Sequence, residues 1–448
     1  MVIDAIVDIT QGSCGFANNI NPKLGSIMVS QQALSSNNPE KRPWLNTVYI
    51  LCCYGLLSLT ASALFAADAT NSGYPHESEA IGTVRQVYDG RLMPDIQINT
   101  FRNIQRLFPT RLVKRGAVVT DFSRAEKSLE DFSFTLDGRV YDIFDVLALN
   151  RVAAMMVVKD DSVVFERYFM GNTHETRWMS MSLVKTITVM LIGAAIEDGF
   201  ISNIQDPITN YLPIFENTSY ASVTVEDIIA MTSGVDWNET YTDPASDRRR
   251  MLEAQLGQEP NAILTLMGDL ATHSDPGTRW NYSTGETHIA GALVHAATGK
   301  WAAEYLSEKL WGPLGMESDA TWWLESEDGL EVGGSGLSAT LRDYTRFGQF
   351  LLNQGTIDGH RVVPAGFVER AGSRTVIDGH SVDYGYGLWP LHGNTYAAIG
   401  IFGQYIFVDP DQDLVVTLLS AQPKPVNGQG IDEYKFLEAF SAYFQAQQ

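Results

Sequence analysis

The chain has 448 residues, 45% of them hydrophobic and 19% charged, which excludes a disordered chain and supports a sizeable core. Its formal net charge of −22 repels phosphate and excludes nucleic acid as a natural partner, leaving the acidity to serve solubility. The eight His are scattered and form no H-E-x-x-H motif, so neither a metal nor another cofactor is expected.

Residues 1–40 are polar, mixed and without periodicity. Lys41 and Arg42 then precede an uncharged stretch, residues 43–67, rich in Leu, Ala and aromatics. Ala61-Ser62-Ala63 and Ala67-Asp68-Ala69 both have the A-x-A form. A basic region, an apolar region and a small-residue site predict a signal peptide cleaved near residues 63–69. Residues 1–69 are therefore read as an N-terminal extension and signal peptide, and the working protein as periplasmic or secreted. Left uncleaved, the same run is near the minimum membrane span and predicts an anchored protein, the one case in which a membrane is a partner. All three Cys (Cys14, Cys52, Cys53) fall in this leader, so the remaining chain has neither disulfide nor thiol nucleophile.

Residues 70–145 carry few strong signals and read as an N-terminal lead packing on the core. Val157, Val158, Val163, Val164 and Phe165 flank the turn Lys159-Asp160-Asp161 and predict a hairpin over residues 153–169. Residues 182–198 are apolar nearly all round and end at Gly199, which predicts a buried helix. Residues 201–329 are expected to be mostly helical, punctuated by prolines from Pro207 to Pro313. An amphipathic helix follows over 341–353, and from Tyr384 the pattern returns to strands. Residues 405–408 and 414–419 flank the turn Asp409-Pro410-Asp411-Gln412-Asp413, and residues 432–446 close the chain as a helix. Strands near both ends and helices between them give an α+β class. One antiparallel sheet is built from residues 146–200 and 330–448, with helices on its faces and a helical domain over 201–329.

One S-x-x-K occurs, Ser182-Leu183-Val184-Lys185, opening the most apolar helix. Three residues along a helix bring Lys185 within side-chain reach of Ser182. Apolar surroundings and the positive end of the helix both lower the pKa of an amine. A neutral Lys185 takes the proton that an isolated serine holds at neutral pH, and first-turn N–H groups are free to bind an oxyanion. Tyr282, in Trp280-Asn281-Tyr282-Ser283-Thr284-Gly285-Glu286-Thr287, lies in a polar turn from which its hydroxyl can share proton transfer. Gly400-Ile401-Phe402-Gly403-Gln404-Tyr405 places glycines in a strand pattern, where a ligand can approach the backbone closely.

Together with Asp206 to Pro213, Met231-Thr232-Ser233-Gly234, Tyr241 to Ser246, and Gly334 to Thr340 with Arg342-Asp343, these segments resemble the serine β-lactamase and penicillin-binding superfamily. The resemblance runs from about residue 145 to 445 and is strongest to its class C-like branch, the family VIII carboxylesterases and 6-aminohexanoate-dimer hydrolases. It implies a β-lactamase/transpeptidase-like fold with Ser182 as acylated nucleophile, Lys185 as its base and Tyr282 as proton shuttle. The oxyanion hole it implies is the backbone N–H of Ser182 and that of Gln404. Tyr241, Phe402, Gly403 and Glu286 are substrate-binding candidates, whereas Trp322 and Trp323 read as packing.

Two departures set the expected substrate. Thr284 stands where the β-lactamase pattern Tyr-x-Asn has Asn, and Phe402 is read at the position of the cation in Lys-Thr-Gly. A β-lactam or peptidoglycan terminus carries a carboxylate that wants that cation. An ester or a linear amide, a small-molecule substrate without that charge, fits better. The alternatives are a β-lactamase or D,D-peptidase, and a non-catalytic binding or sensor protein on the same scaffold.

Overall fold

A computed structural model describes residues 74–428 and 430–447. The leader, its cleavage site and the three Cys lie outside the described residues. Among the described residues no helix is long and apolar enough to cross a membrane.

The strands that matter here are β1 (Thr110–Val113), β2 (Ser123–Arg124), β3 (Val152–Lys159), β4 (Ser162–Tyr168), β5 (Arg177–Met179), β6 (Ala320–Trp323), β7 (Leu337–Thr340), β8 (Trp389–Pro390), β9 (Tyr396–Gly400), β10 (Gln404–Asp409) and β11 (Leu414–Ser420). The helices are α1 (Val184–Glu197), α2 (Asp247–Gly257), α3 (Thr284–Thr298), α4 (Leu341–Leu352) and α5 (Glu433–Gln445). The main sheet has the order β8-β9-β10-β11-β3-β4-β2, so the last long strand of the chain lies beside the first. The β3–β4 hairpin forms where the sequence predicts it. Asp160 and Asp161 turn it with φ of 50° and 55°, the left-handed pair that a two-residue hairpin loop requires.

The sheet is buried on both faces, and the period-two alternation of β3 divides the core. Ala154, Met156 and Val158 join the cluster that contains α1 and α4; Met155 and Val157 join the cluster that contains Phe436, Leu437, Phe440 and Phe444 of α5. The expected sandwich is therefore present, with α5 on one face and α1 and α4 on the other.

The architecture adds three features that the sequence does not show. The pair β2–β4 is parallel, so the sheet is mixed at one edge, and that edge comes from the lead segment. The stretch expected to be mostly helical ends in β6, which enters a second sheet, β1-β6-β7-β5. Trp322 and Trp323 on β6 are fully buried and donate to the carbonyls of Val332 (3.0 Å) and Ile104 (2.7 Å). Two such anchors override the helical pattern around them. The described residues also gather into one unit, with the helical stretch built onto the sheet.

Helix α4 shows how a polar group fixes a layer. Thr340 caps it, accepting the Asp343 N–H at 3.2 Å. The buried Asp343 carboxylate accepts from the Thr340 hydroxyl at 2.7 Å and from the backbone N–H groups of Glu317 (2.7 Å) and Ser318 (3.2 Å). Burial pushes this carboxyl up to about 6 against those donors. Asp343→Ala leaves the donors unmatched and is expected to destabilise the protein by about 2–3 kcal/mol. An unchanged thermal midpoint contradicts this role.

Candidate active site

Ser182 does not open the α-helix directly. It lies in a single 3-10 turn, Met181–Leu183, between β5 and α1. The turn is tied down by Ser180, whose N–H donates to the Leu337 carbonyl of β7 at 2.8 Å. Met181 has φ 43°, a left-handed conformation that costs a side-chain-bearing residue about 1–3 kcal/mol. Ser182 retains 8% exposure; Lys185, in the first turn of α1, retains 2%.

Lys185 Nζ lies 3.0 Å from Ser182 Oγ, 2.9 Å from Thr284 Oγ1 and 2.9 Å from the Gly334 carbonyl oxygen. Burial pulls the amine down to about 7, with Glu239 drawing it up and Arg248 pushing it down. Thr284 begins α3, which Ser283 caps by accepting the Glu286 N–H at 3.1 Å. That cap sets Tyr282 just before the helix, its ring centroid 5.2 Å from Lys185 Nζ. Burial raises the Tyr282 hydroxyl far above its ordinary value, Glu239 adds to this, and the Ser182 hydroxyl opposes it.

Tyr282 belongs to an aromatic wall. Its ring lies 5.5 Å from Trp389, 5.9 Å from Tyr384 and 6.4 Å from Trp280 between centroids. Among the described residues the buried Trp280 Nε1 and Tyr384 hydroxyl have no hydrogen-bond partner.

The structure thus brings Ser182, Lys185 and Tyr282 together, and it corrects the reading of the last motif. The residue of the β9–β10 hairpin that meets the turn carrying Ser182 is Gly400. A Cβ there would stand 2.3 Å from the Ser180 carbonyl oxygen and 3.2 Å from Leu183 N. Gln404 instead pairs across the hairpin with Gly400, and its side chain accepts from Trp178 Nε1 (2.9 Å) and donates to the Ser420 carbonyl (2.8 Å). Phe402 does not stand in a cation's place: it is 1% exposed, with its ring in the core 5.1 Å from Phe101. Gly403 likewise packs against Ser420 and Gln422. The cause is the three-residue turn after Gly400, which carries 402–404 away from Ser182.

Two further binding candidates are internal. Glu286 is 2% exposed and accepts from the Ser233 hydroxyl; burial pushes its carboxyl up to about 8. Tyr241 stacks on Tyr88 with centroids 6.5 Å apart.

Sequence reasoning missed Glu239 and Arg248, and it placed Gly334 in a motif without giving it a role. Glu239 accepts from Thr284 Oγ1 (2.5 Å), Thr284 N (3.0 Å) and Trp237 Nε1 (2.5 Å), and lies 4.0 Å from Arg248 Nε. The departure at Thr284 was the available signal, because a residue of new chemistry at that position needs new partners. Among the described residues no His, Cys, Asp or Glu side chains gather as a metal site.

A serine and a desolvated lysine at the start of a buried helix, beside a sheet made from both chain ends, define the β-lactamase and penicillin-binding class of fold. The chain belongs to the β-lactamase family: the family model described as Beta-lactamase matches residues 150–440. It is 30% identical over 346 residues to the 6-aminohexanoate-dimer hydrolase of Paenarthrobacter ureafaciens, covering 72% of this chain and 85% of that one. A solved structure from Bacillus anthracis, assigned as a 6-aminohexanoate-dimer hydrolase, superposes with a TM-score of 0.69 at 24% identity over 79% of this chain and 93% of that one. A family VIII carboxylesterase superposes at 0.51 with 16% identity, over 65% and 92%. These two likenesses establish the fold. The resemblance read from the sequence holds, and the chain is an enzyme of a family whose relatives are named as hydrolases.

Gly400→Ala is expected to force the turn that carries Ser182 off β9 and destabilise the protein by about 1–3 kcal/mol. A thermal midpoint equal to the parent's contradicts the close approach described.

Proposed function

We propose that this chain is an exported serine hydrolase that cleaves carboxylic esters or linear amides through an acyl-enzyme. The observation that carries the reading is the buried Lys185 amine 3.0 Å from the Ser182 hydroxyl, brought down to about 7 by burial. Lys185 takes the Ser182 proton as Oγ bonds to the substrate carbonyl carbon. The oxyanion accepts from the Ser182 N–H and from the peptide at Gly400–Ile401, which replaces Gln404 in this role. The bond to the leaving group then breaks. The proton held on Lys185 reaches the departing oxygen or nitrogen through the Tyr282 hydroxyl, and water releases the acid by the reverse path. Export rests on the apolar segment over residues 43–67 and the small residues after it.

The preference for an ester or linear amide over a β-lactam now rests on β9. Its sequence, Tyr396-Ala397-Ala398-Ile399-Gly400, contains no Lys or Arg to receive a substrate carboxylate. The aromatic wall beside Tyr282 suits an apolar substrate chain. The named activity of the Paenarthrobacter relative, on a linear amide dimer, points the same way.

A fluorophosphonate is expected to label Ser182, and Ser182→Ala to abolish both labelling and p-nitrophenyl ester turnover. Equal labelling of Ser182→Ala overturns the reading. Faster turnover of nitrocefin than of esters or 6-aminohexanoate oligomers shifts it to a β-lactamase. Because Lys185 accepts a proton only when neutral, kcat/KM should rise with pH through about 7 and fall about tenfold per unit below it. A profile flat across neutrality removes Lys185 as the base.

A further inference from the structure

The three oxygens around Lys185 Nζ raise a question of direction. A neutral amine has two N–H bonds and one lone pair, and only the lone pair can take a proton from Ser182. The Gly334 carbonyl, at 2.9 Å, can only accept. The Thr284 hydroxyl, also at 2.9 Å, can do either. If it donates to Lys185, it occupies the lone pair and the base is lost.

Glu239 decides the matter. Its carboxylate is 9% exposed and faces donors on both oxygens: the Thr284 N–H (3.0 Å) and Trp237 Nε1 (2.5 Å) on Oε2, and the Thr284 hydroxyl (2.5 Å) on Oε1. A carboxylate accepts only, so the single hydroxyl hydrogen of Thr284 goes to Glu239. Thr284 then has only lone pairs for Lys185. Both amine hydrogens go to Thr284 and Gly334, and the remaining lone pair points at Ser182 Oγ.

We infer that Glu239 is a positioning residue which, acting through the Thr284 hydroxyl, orients the Lys185 lone pair onto Ser182. This deepens the acyl-enzyme reading above and rests on it. Arg248 completes the arrangement. It is 4% exposed, lies 4.0 Å from Glu239 Oε1, donates to the Tyr88 hydroxyl and sits 4.4 Å over the Tyr88 ring. Its charge offsets that of Glu239, so the carboxylate can direct Thr284 without holding a proton on Lys185. The charged and titratable groups facing Lys185 are thus Glu239 from the segment before α2, Arg248 from α2 and Tyr282 from the turn before α3.

The test compares full-length parent, Thr284→Val, Thr284→Ser and Glu239→Gln. Each is followed by the rate of fluorophosphonate labelling at Ser182 and by kcat and KM for a p-nitrophenyl ester across pH. Thr284→Val keeps shape but removes the hydroxyl, so labelling and kcat are expected to fall about 100-fold with little change in KM. Thr284→Ser restores the hydroxyl and is expected to recover all but a few-fold of that loss. Glu239→Gln turns a donor toward Thr284 or Trp237. It is expected to lose about 100-fold in kcat and, by removing a negative neighbour, to move the acidic limb of the profile to lower pH. A change that is merely structural has no reason to move that limb.

Thr284→Val labelling within about threefold of the parent overturns the relay. So does a Glu239→Gln profile whose limb stays in place with its rate intact. If Glu239→Gln fails to fold, shown by loss of its circular-dichroism melt, the Thr284 pair decides alone. A parent that labels at Ser182 while Thr284→Val labels equally fast removes the relay and leaves the acyl-enzyme. A folded parent that does not label removes both.

Discussion

Much of this structure depends on keeping one amine out of water. An ammonium buried alone is too costly to persist, and a buried carboxylate in contact with it would hold it protonated. Lys185 meets neither condition. Its three neighbours are a hydroxyl, a second hydroxyl and a peptide carbonyl, and the nearby Glu239 is balanced by Arg248. The result is a solvated-looking set of hydrogen bonds inside an apolar helix. Each partner comes from a different part of the chain: α1 supplies the amine, α3 the threonine, the segment before β7 the carbonyl. Displacing any of these layers returns the amine to water or leaves it unpaired.

The strained turn at Met181 follows from the same constraint. Ser182 keeps 8% exposure while the residues around it anchor α1 in the core. A left-handed residue immediately before the serine reverses the chain sharply enough for both. β9 then closes against the turn, with room only for a glycine at position 400.

The parts legible in the sequence were those governed by local periodicity and by the spacing of motifs. The β3–β4 and β10–β11 hairpins, α1, α4 and α5 follow from alternation, apolar runs and turn residues. The closeness of Ser182 and Lys185 follows from three-residue spacing on an apolar helix, and that of Tyr282 from its place in an ordered motif set. What stayed hidden is set by tertiary contact. Glu239 and Arg248 lie just outside the Tyr241 to Ser246 segment, and their meaning exists only once Thr284 lies against Glu239. The last motif was misread because a strand pattern does not say where its hairpin turns. A turn at residues 401–403 rather than later takes Phe402 and Gln404 away from Ser182 and into the core. The strand β6 was hidden for a related reason: buried tryptophans took a short stretch away from its helical surroundings.

The strand order of the main sheet has a consequence for when the protein becomes active. β3 needs β11 as its neighbour, and the glycine that closes on the turn carrying Ser182 lies on β9, both more than two hundred residues downstream. During synthesis Ser182 and Lys185 emerge long before the strands that bury them. Until the C-terminal third arrives, Lys185 is an ordinary solvated ammonium with no lone pair to offer. Such long-range pairing also forms late in folding, because loop closure must precede the contacts it permits. The environment of Lys185 is thus a property of the finished chain, and a partly folded form does not have it.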